Sequence, residues 1–166
     1  MKIEEELINK MKESGGYLIT MDYNLYKKII SDLARPFHGT KIDKVVSPEM
    51  KGMLYGPLIA QKLKIPFAPI FKEGRVPKKF VLTKKYVDYS KKSKSLEIGK
   101  SEIKRGDRIL IVDDEFESGE SGKAIIKMIE KLGGKVVGIA IIYNKLNQKA
   151  EEFFKKYKLN YLVKLK

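Results

Sequence analysis

Residues 108–122 read Arg-Ile-Leu-Ile-Val-Asp-Asp-Glu-Phe-Glu-Ser-Gly-Glu-Ser-Gly, and this stretch decides the fold. It runs from a short apolar segment through a pair of acids into small and hydroxyl-bearing residues that precede a segment of helical period. A buried strand followed by such a turn and a helix is typical of an open α/β sheet, in which ligands bind beyond the carboxyl ends of the strands. The stretch therefore predicts a central strand with a binding site at its end.

Short runs rich in Ile and Val alternate with longer segments of helical period on both sides of this stretch. The alternation predicts an α/β fold with a mostly parallel central sheet flanked by helices. The predicted strands are residues 42–46, 67–71, 108–112, 135–142 and 161–163, and the predicted helices are residues 1–13, 22–34, 53–63, 121–132 and 147–156. With 166 residues the chain is long enough to bury one core, so we expect residues 1–166 to form a single domain.

Charge is distributed unevenly along the chain, whose formal net charge is +14. Residues 72–94 contain nine basic residues and two acids, a net of +7, whereas residues 113–121 contain five acids and no base. The sparse apolar residues of 72–94 and the turn at Gly74–Pro77 predict a long mobile loop or a hairpin. A positive balance of this size favours an anionic small molecule or nucleic acid as partner, although lysine enrichment also occurs as a general surface property.

The chain has no cysteine and a single histidine, which excludes disulfides, thiolate metal sites and a centre of several imidazoles. A metal ion must then arrive with a substrate or bind to carboxylates. No stretch reaches the roughly 18 consecutive apolar residues of a membrane span, and Glu4–Glu6 do not fit the start of a secretion signal. We therefore expect a cytoplasmic protein without membrane contact.

The residues after the central strand have the chemistry to hold a ribose 5-phosphate. Asp113 and Asp114 can accept hydrogen bonds from the two vicinal hydroxyls of a ribose. Residues 118–122 supply two hydroxyls and free backbone N–H groups at a helix N-terminus, which suits a phosphate monoester. On its own, the same pattern also fits a helix cap with a solvated acidic loop.

Ile109–Ser121 resembles the signature of type I phosphoribosyltransferases, which has four apolar residues, two acids, two variable residues and a phosphate loop of small and hydroxyl residues. The resemblance extends over residues 41–144. Val46–Gly52 with Met53–Pro57 is similar to the pyrophosphate loop and following helix of adenine phosphoribosyltransferases, and Phe71–Pro77 is similar to the start of their flexible catalytic loop. The resemblance implies the Rossmann-like fold of that family, with residues 72–94 as the catalytic loop, and phosphoribosyl pyrophosphate as a substrate.

The resemblance also implies a role for each matching residue. Asp113 and Asp114 would contact the ribose hydroxyls, and a Mg²⁺ ion would be held by the substrate rather than by the protein alone. The 5-phosphate would be bound by Ser118, Gly119 and Ser121, and the pyrophosphate by Met50, Lys51 and Gly52. Lys72 and Arg75 would neutralise the pyrophosphate as it leaves. The implied reaction of purine salvage joins a free purine base to the phosphoribosyl group, giving a nucleoside monophosphate and pyrophosphate.

Three residues of the signature leave questions open. Glu117 stands where adenine enzymes usually have alanine and where hypoxanthine and guanine enzymes have an aspartate near N7 of the base, so it can be a general base, an N7 partner or a solvent-facing acid. Phe116 can stack on the purine or pack against a helix. Glu120 brings a negative charge into the phosphate loop, and the hypothesis requires its side chain to point outward.

Adenine is the favoured base, with hypoxanthine, guanine or xanthine as the alternative. A different class of function is a non-catalytic regulator that senses phosphoribosyl pyrophosphate and binds nucleic acid through its basic surface, although the sequence has no helix-turn-helix or aromatic RNA-binding pattern. A phosphosugar or nucleotide hydrolase is a third possibility, and the missing histidines and the basic loop argue against it. By analogy with the resembled family, we expect a homodimer.

Overall fold

The computed structural model describes residues 3–88 and 90–165, which form helices, short 3₁₀ turns and one sheet. The α-helices are α1 (Ile3–Ser14), α2 (Tyr23–Ala34), α3 (Gly52–Leu63), α4 (Glu120–Lys131) and α5 (Gln148–Phe154). The strands are β1 (Lys44–Pro48), β2 (Phe67–Lys72), β3 (Val81–Val87), β4 (Ser93–Gly99), β5 (Arg108–Phe116), β6 (Lys135–Asn144) and β7 (Lys158–Lys164). None of the helices in the described part of the chain has the length and hydropathy that a membrane crossing requires.

The seven strands form one sheet in the order β3-β4-β2-β1-β5-β6-β7. The pairs β2–β1, β1–β5, β5–β6 and β6–β7 are parallel, whereas β4 pairs antiparallel with both β2 and β3. The predicted fold class, a mostly parallel sheet flanked by helices, is confirmed. Because β1 and β5 are neighbours near the centre of the sheet, the loops that follow them lie side by side.

The sheet buries apolar side chains on both of its faces, which explains why its central strands read as continuous apolar runs. Leu110 and Val112 pack with α1, α2 and α3, and Ile109 and Ile111 pack with α4 and α5. The two faces thus divide the residues of β5 by simple alternation. The apolar run from Ile109 to Val112 is followed inside the strand by three acids, Asp113, Asp114 and Glu115, near its carboxyl end.

Residues 72–94 include most of a β-hairpin, the second of the two forms that the sequence predicted. β3 and β4 pair from Val81↔Gly99 to Val87↔Ser93, and β3 forms the edge of the sheet. Lys84 and Lys85 are exposed on β3, and lysines on an edge strand disfavour pairing with a further strand. Tyr89 of the segment predicted as a loop or hairpin, and Met1 and Lys2 of the predicted N-terminal helix, lie outside the described residues.

Candidate active site

A cleft of about 510 Å³ opens where β1, β2 and β5 end, at the carboxyl edge of the sheet. The predicted site residues that line this cleft are Met50, Lys51, Lys72, Asp113, Asp114 and Ser121. They come from three strand ends and from the first turn of α4. The register of the sheet brings them together, because Val46 of β1 pairs with Ile111 of β5 and the chain leaves both strands in the same direction.

The two carboxylates at the end of β5 differ in their surroundings although both are buried. Asp113 Oδ1 accepts a hydrogen bond of 2.8 Å from the backbone N–H of Asp114. It also lies 2.9 Å from the position that a Cβ atom on Gly52 would occupy, so a larger residue at Gly52 would collide with it. Burial, and then the neighbouring charge of Asp114, raises the pKa of Asp113 well above the usual carboxyl range.

Lys51 joins the loop after β1 to the end of β5. Its ammonium forms an ion pair with Asp114, lies 3.8 Å from Glu115 Oε1 and stands 5.6 Å from the centre of the Tyr17 ring. Burial tends to lower the pKa of Lys51, but the hydrogen bond and charge of Asp114 outweigh it and the pKa is raised. Glu115 pairs in turn with Lys145 at 2.6 Å, so charges of alternating sign run along this side of the cleft.

The phosphate loop predicted from the sequence precedes α4 directly. Gly119 has a φ of +77° at the N-terminus of the helix, and the backbone N–H of Glu120 donates to Ser118 Oγ at 3.4 Å. The carboxylate of Glu120 pairs with Lys123 at 2.7 Å, one turn along α4. Glu120 lines neither the cleft nor the small pocket beside it, so the outward orientation that the hypothesis requires is present.

That small pocket, of about 130 Å³, adjoins the cleft and shares Glu115 and Ser121 with it. Glu117 and Ser118 line the small pocket but not the cleft. Glu117 and Ser118 therefore lie in the pocket next to the cleft that holds Asp113 and Asp114, on the side of the phosphate loop.

Glu49 holds the end of β2 and the start of the basic segment against the loop after β1. Its carboxylate accepts a hydrogen bond of 3.0 Å from the backbone N–H of Lys72 and one of 3.1 Å from the guanidinium of Arg75. These contacts, that of Lys72 first, lower the pKa of Glu49. Arg75 therefore lies beside the pyrophosphate loop without lining the cleft, and the peptide bond between Glu49 and Met50 in that loop is cis.

Phe116 requires a correction, because its ring belongs to the core and offers no face to a purine. The side chain is fully buried, and its ring centre lies 5.1 Å from that of Phe154 in α5. A Cβ atom on Gly122 would come within 2.7 Å of the same ring. Of the two possibilities that the sequence left for Phe116, packing against a helix is the one found.

The cleft is also lined by residues that the sequence did not assign to the site, among them Tyr17, Glu49, Tyr86 and Glu115. Glu49 and Glu115 lie inside segments that the sequence had singled out, so their charge beside Lys51 was a usable signal. Tyr17 and Tyr86 come from a 3₁₀ turn and from the hairpin, far along the chain from the strand ends that carry the rest of the site. Within residues 3–88 and 90–165, no group of three His, Cys, Asp or Glu side chains could hold a metal ion.

Asp113→Asn is expected to stabilise the protein at neutral pH and to lose that advantage in acid. Because the pKa of Asp113 is raised on folding, the folded state binds its proton more tightly than the unfolded state, and stability falls as pH rises through the raised pKa. Below the unfolded carboxyl pKa of about 4 both states are protonated and the cost disappears. Asparagine keeps the acceptor for the N–H of Asp114 but never ionises.

Urea unfolding of the wild type and of Asp113→Asn at pH 4 and pH 8 measures this difference. Asp32→Asn is the control and should not reproduce the gain, because Asp32 of α2 is an acid stabilised by ion pairs with Lys28 and Arg35. Equal or lower stability of Asp113→Asn at pH 8 would show that the buried carboxyl does not cost the fold.

Comparison with known proteins gives a consistent family. The family model described as phosphoribosyl transferase domain matches residues 22–163. The chain is 34% identical over 145 residues to adenine phosphoribosyltransferase of Clostridium botulinum, covering 87% of this chain and 83% of that protein. Two crystal structures of adenine phosphoribosyltransferases are also similar.

The structure of the enzyme from Thermoanaerobacter pseudethanolicus has a TM-score of 0.82 and 30% identity, with 90% of this chain and 86% of that chain covered. The structure of the Saccharomyces cerevisiae enzyme, complexed with an imino-altritol bisphosphate and adenine, has a TM-score of 0.72 and 27% identity. It covers 87% of this chain and 82% of that chain. The likeness therefore includes both the sheet and the helices that surround the cleft.

Proposed function

The chain belongs to the phosphoribosyltransferase family of enzymes, and from this premise we propose that it transfers the phosphoribosyl group of phosphoribosyl pyrophosphate to adenine in purine salvage. The products are adenosine monophosphate and pyrophosphate. The observation that carries the proposal is the cleft in which Lys51, Asp113 and Asp114 meet beside the N-terminus of α4. It offers acceptors for a ribose diol between two places suited to phosphates.

The residues around the cleft divide the substrate between them. Asp113 and Asp114 are proposed to accept the ribose hydroxyls, and Met50, Lys51 and Gly52 to bind the pyrophosphate. The hydroxyls of Ser118 and Ser121 and the backbone at Gly119 are proposed to bind the 5-phosphate. Lys72 and Arg75 are proposed to neutralise charge on the leaving pyrophosphate, supported by their contacts with Glu49 in the same loop.

The step itself breaks the bond between the anomeric carbon and a pyrophosphate oxygen and forms a bond from that carbon to a ring nitrogen of the base. The electron pair of the broken bond leaves with the pyrophosphate, and the base loses one proton. The contribution of the protein is orientation of the reactants and electrostatic stabilisation, so no covalent intermediate is needed. Glu117 is proposed as the acceptor of that proton or as the partner of N7, because it lines the pocket next to Ser118 and Ser121.

Mg²⁺ is proposed to enter with the pyrophosphate group of the substrate. Phosphate oxygens are ligands that Mg²⁺ prefers, and it commonly keeps several waters and few protein carboxylates. Glu49, in the pyrophosphate loop itself, is engaged by Lys72 and Arg75, and Asp114 is paired with Lys51. The substrate, and no single protein residue, is therefore proposed as the main ligand of the ion.

A 6-oxopurine is the second candidate base, and a groove next to the phosphate loop favours it. This groove of about 400 Å³ is lined by Glu117 and Lys145 and by Ile8, Met11 and Lys12 of α1. An ammonium donates hydrogen bonds to an oxo group, and a carboxylate accepts from a ring N–H. Adenine is favoured by the names of the similar enzymes, and the groove supports hypoxanthine, guanine or xanthine.

Calorimetric titration with phosphoribosyl pyrophosphate and Mg²⁺, followed by each of the four bases with pyrophosphate release monitored, tests the proposal. Binding with turnover on adenine is the expected result. Turnover on a 6-oxopurine alone would replace adenine with the second candidate. Binding without turnover on any base would favour the regulator alternative, and absence of binding would refute the assignment of the cleft.

A homodimer is proposed from the exposed apolar side chains around α2 and α3. Outside the cleft, the exposed residues are Leu18, Met21, Tyr23, Leu54 and Leu58. The two segments that carry them are joined where the Tyr26 hydroxyl donates to the Leu54 carbonyl. Apolar side chains grouped in this way are typical of a surface covered by a partner.

A cytoplasmic location stays a prediction from the sequence.

Replacing both Met21 and Leu58 with glutamate is expected to convert the dimer to a monomer, because each charge would be buried at the interface. Light scattering after size exclusion measures the mass. Val87→Glu is the matched control, since Val87 is an equally apolar residue, 54% exposed, on the hairpin. A wild-type protein that is already monomeric would refute the proposal.

A further inference from the structure

The ion pair between Lys51 and Asp114 has a consequence for the order in which the two halves of the substrate are held. The pair is sheltered, with only 22% of the Lys51 side chain and 11% of the Asp114 side chain exposed. Asp113 does not compete for the ammonium, because its Oδ1 is engaged by the backbone N–H of Asp114 and lies against Gly52. Lys51 thus neutralises Asp114, one of the two aspartates that line the cleft.

Lys51 also lies in the loop that the proposed function assigns to the pyrophosphate, three residues after the end of β1. A single ammonium therefore has two anionic partners in one cleft. The charged groups that face it are Asp114 and Glu115 from β5, with the Tyr17 ring on its other side. A pyrophosphate group carries more negative charge than one carboxylate and is the stronger partner when it is present.

From this geometry, and resting on the proposed function, we infer that Lys51 is an exchangeable counterion that moves between Asp114 and the pyrophosphate. When pyrophosphate is absent, Lys51 stays paired with Asp114 and competes with the ribose hydroxyls for that carboxylate. When pyrophosphate is bound, Lys51 turns to it, and Asp114 is free to accept those hydroxyls. Lys51 thereby leaves Asp114 available to the ribose hydroxyls while pyrophosphate is bound. After pyrophosphate has left, Lys51 pairs with Asp114 again, which favours release of the nucleotide product.

Exchange of Lys51 should reverse the sign of the coupling between the binding of pyrophosphate and the binding of ribose 5-phosphate. Pyrophosphate and ribose 5-phosphate are both anions, so without a linking group each would weaken the binding of the other. With Lys51 as the exchanged counterion, pyrophosphate should instead strengthen the binding of ribose 5-phosphate, by about 10-fold, and the reverse effect must be equal. Such positive coupling between two like-charged ligands is the signature to be measured.

The experiment titrates ribose 5-phosphate into the full chain by calorimetry, with and without saturating pyrophosphate in Mg²⁺ buffer. Positive coupling in the wild type, with coupling absent or negative in Lys51→Met, is the expected result. Lys72→Met is the matched control, because it removes the same charge from the same cleft without touching Asp114, and it should weaken pyrophosphate but keep the positive sign.

Each other outcome identifies what has failed. If the wild type binds phosphoribosyl pyrophosphate and ribose 5-phosphate but shows no positive coupling, the inference is wrong and the proposed function stands. Positive coupling that survives in Lys51→Met, or that Lys72→Met abolishes equally, also overturns the inference. A wild type that binds none of the three ligands refutes the proposed function itself.

Discussion

Asp114→Asn is expected to lower kcat/KM for phosphoribosyl pyrophosphate by about 100-fold, since hydrogen bonds to a charged acceptor contribute about 1.5–3 kcal/mol each. The amide keeps the shape of the carboxylate but loses its charge, which both binds the ribose diol and offsets positive charge developing at the anomeric carbon. The substitution also removes the carboxylate with which Lys51 is paired. The effect should therefore appear in both kcat and KM.

Steady-state kinetics measures this loss, and circular dichroism with thermal unfolding shows whether the variant is folded. Glu130→Gln is the matched control, because Glu130 is an exposed acid of α4 that lines neither the cleft nor its side pocket. Its activity should equal that of the wild type. If Asp114→Asn retains activity within about threefold of the wild type while folded, Asp114 does not bind the ribose.

The part of the fold that the sequence predicted best is the part in which local pattern and tertiary packing agree. The apolar run at Ile109–Val112 fits a strand covered on both faces, and it is one. The strand continues to Phe116, beyond the predicted end at Val112. Asp113 and Asp114 are still part of the strand, and their polarity reflects their position at the cleft. Two acids that line the cleft therefore resemble, in the sequence, the end of a strand.

The hairpin was harder to assign because its edge strand has little to bury. Only Val81 of β3 is fully covered, and Lys84 and Lys85 face solvent, so the alternation that marks a strand is weak there. The sequence accordingly left a loop and a hairpin open for residues 72–94. Pairing with β4, whose Leu96 and Ile98 are buried, decides between them.

In the site too, the sequence predicts the residues that follow each strand, whereas the contacts between those residues depend on the order of the strands in the sheet. The signature from Ile109 to Ser121 indicated which residues follow one strand, and the resemblance supplied the loop after β1. The pairing of Lys51 with Asp114 depends on β1 and β5 being neighbours, which links residues 63 positions apart. The place of Phe116 depends on Phe154, in a helix that local sequence does not connect with it.

Gly119→Ala is expected to lower the free energy of unfolding by about 3 kcal/mol, because it combines backbone strain with an overlap in the core. Gly119 has a φ of +77°, which costs an alanine about 1–2 kcal/mol. The new Cβ atom would also lie 2.7 Å from Phe154 and 3.0 Å from Leu146, both buried. Relief of that overlap would push the phosphate loop toward the cleft, so activity should fall further than the folded fraction.

Gly106→Ala separates the two causes, because Gly106 has a φ of +91° and no atom within 4 Å of its would-be Cβ. Chemical denaturation of both variants should give only the strain at Gly106 and the larger loss at Gly119. Adding Phe154→Leu to Gly119→Ala should cost less than the sum of the single substitutions, since the smaller side chain removes the overlap. Equal losses at Gly106 and Gly119 would mean that the loop accommodates a methyl group, and that contact with Phe154 does not fix its position.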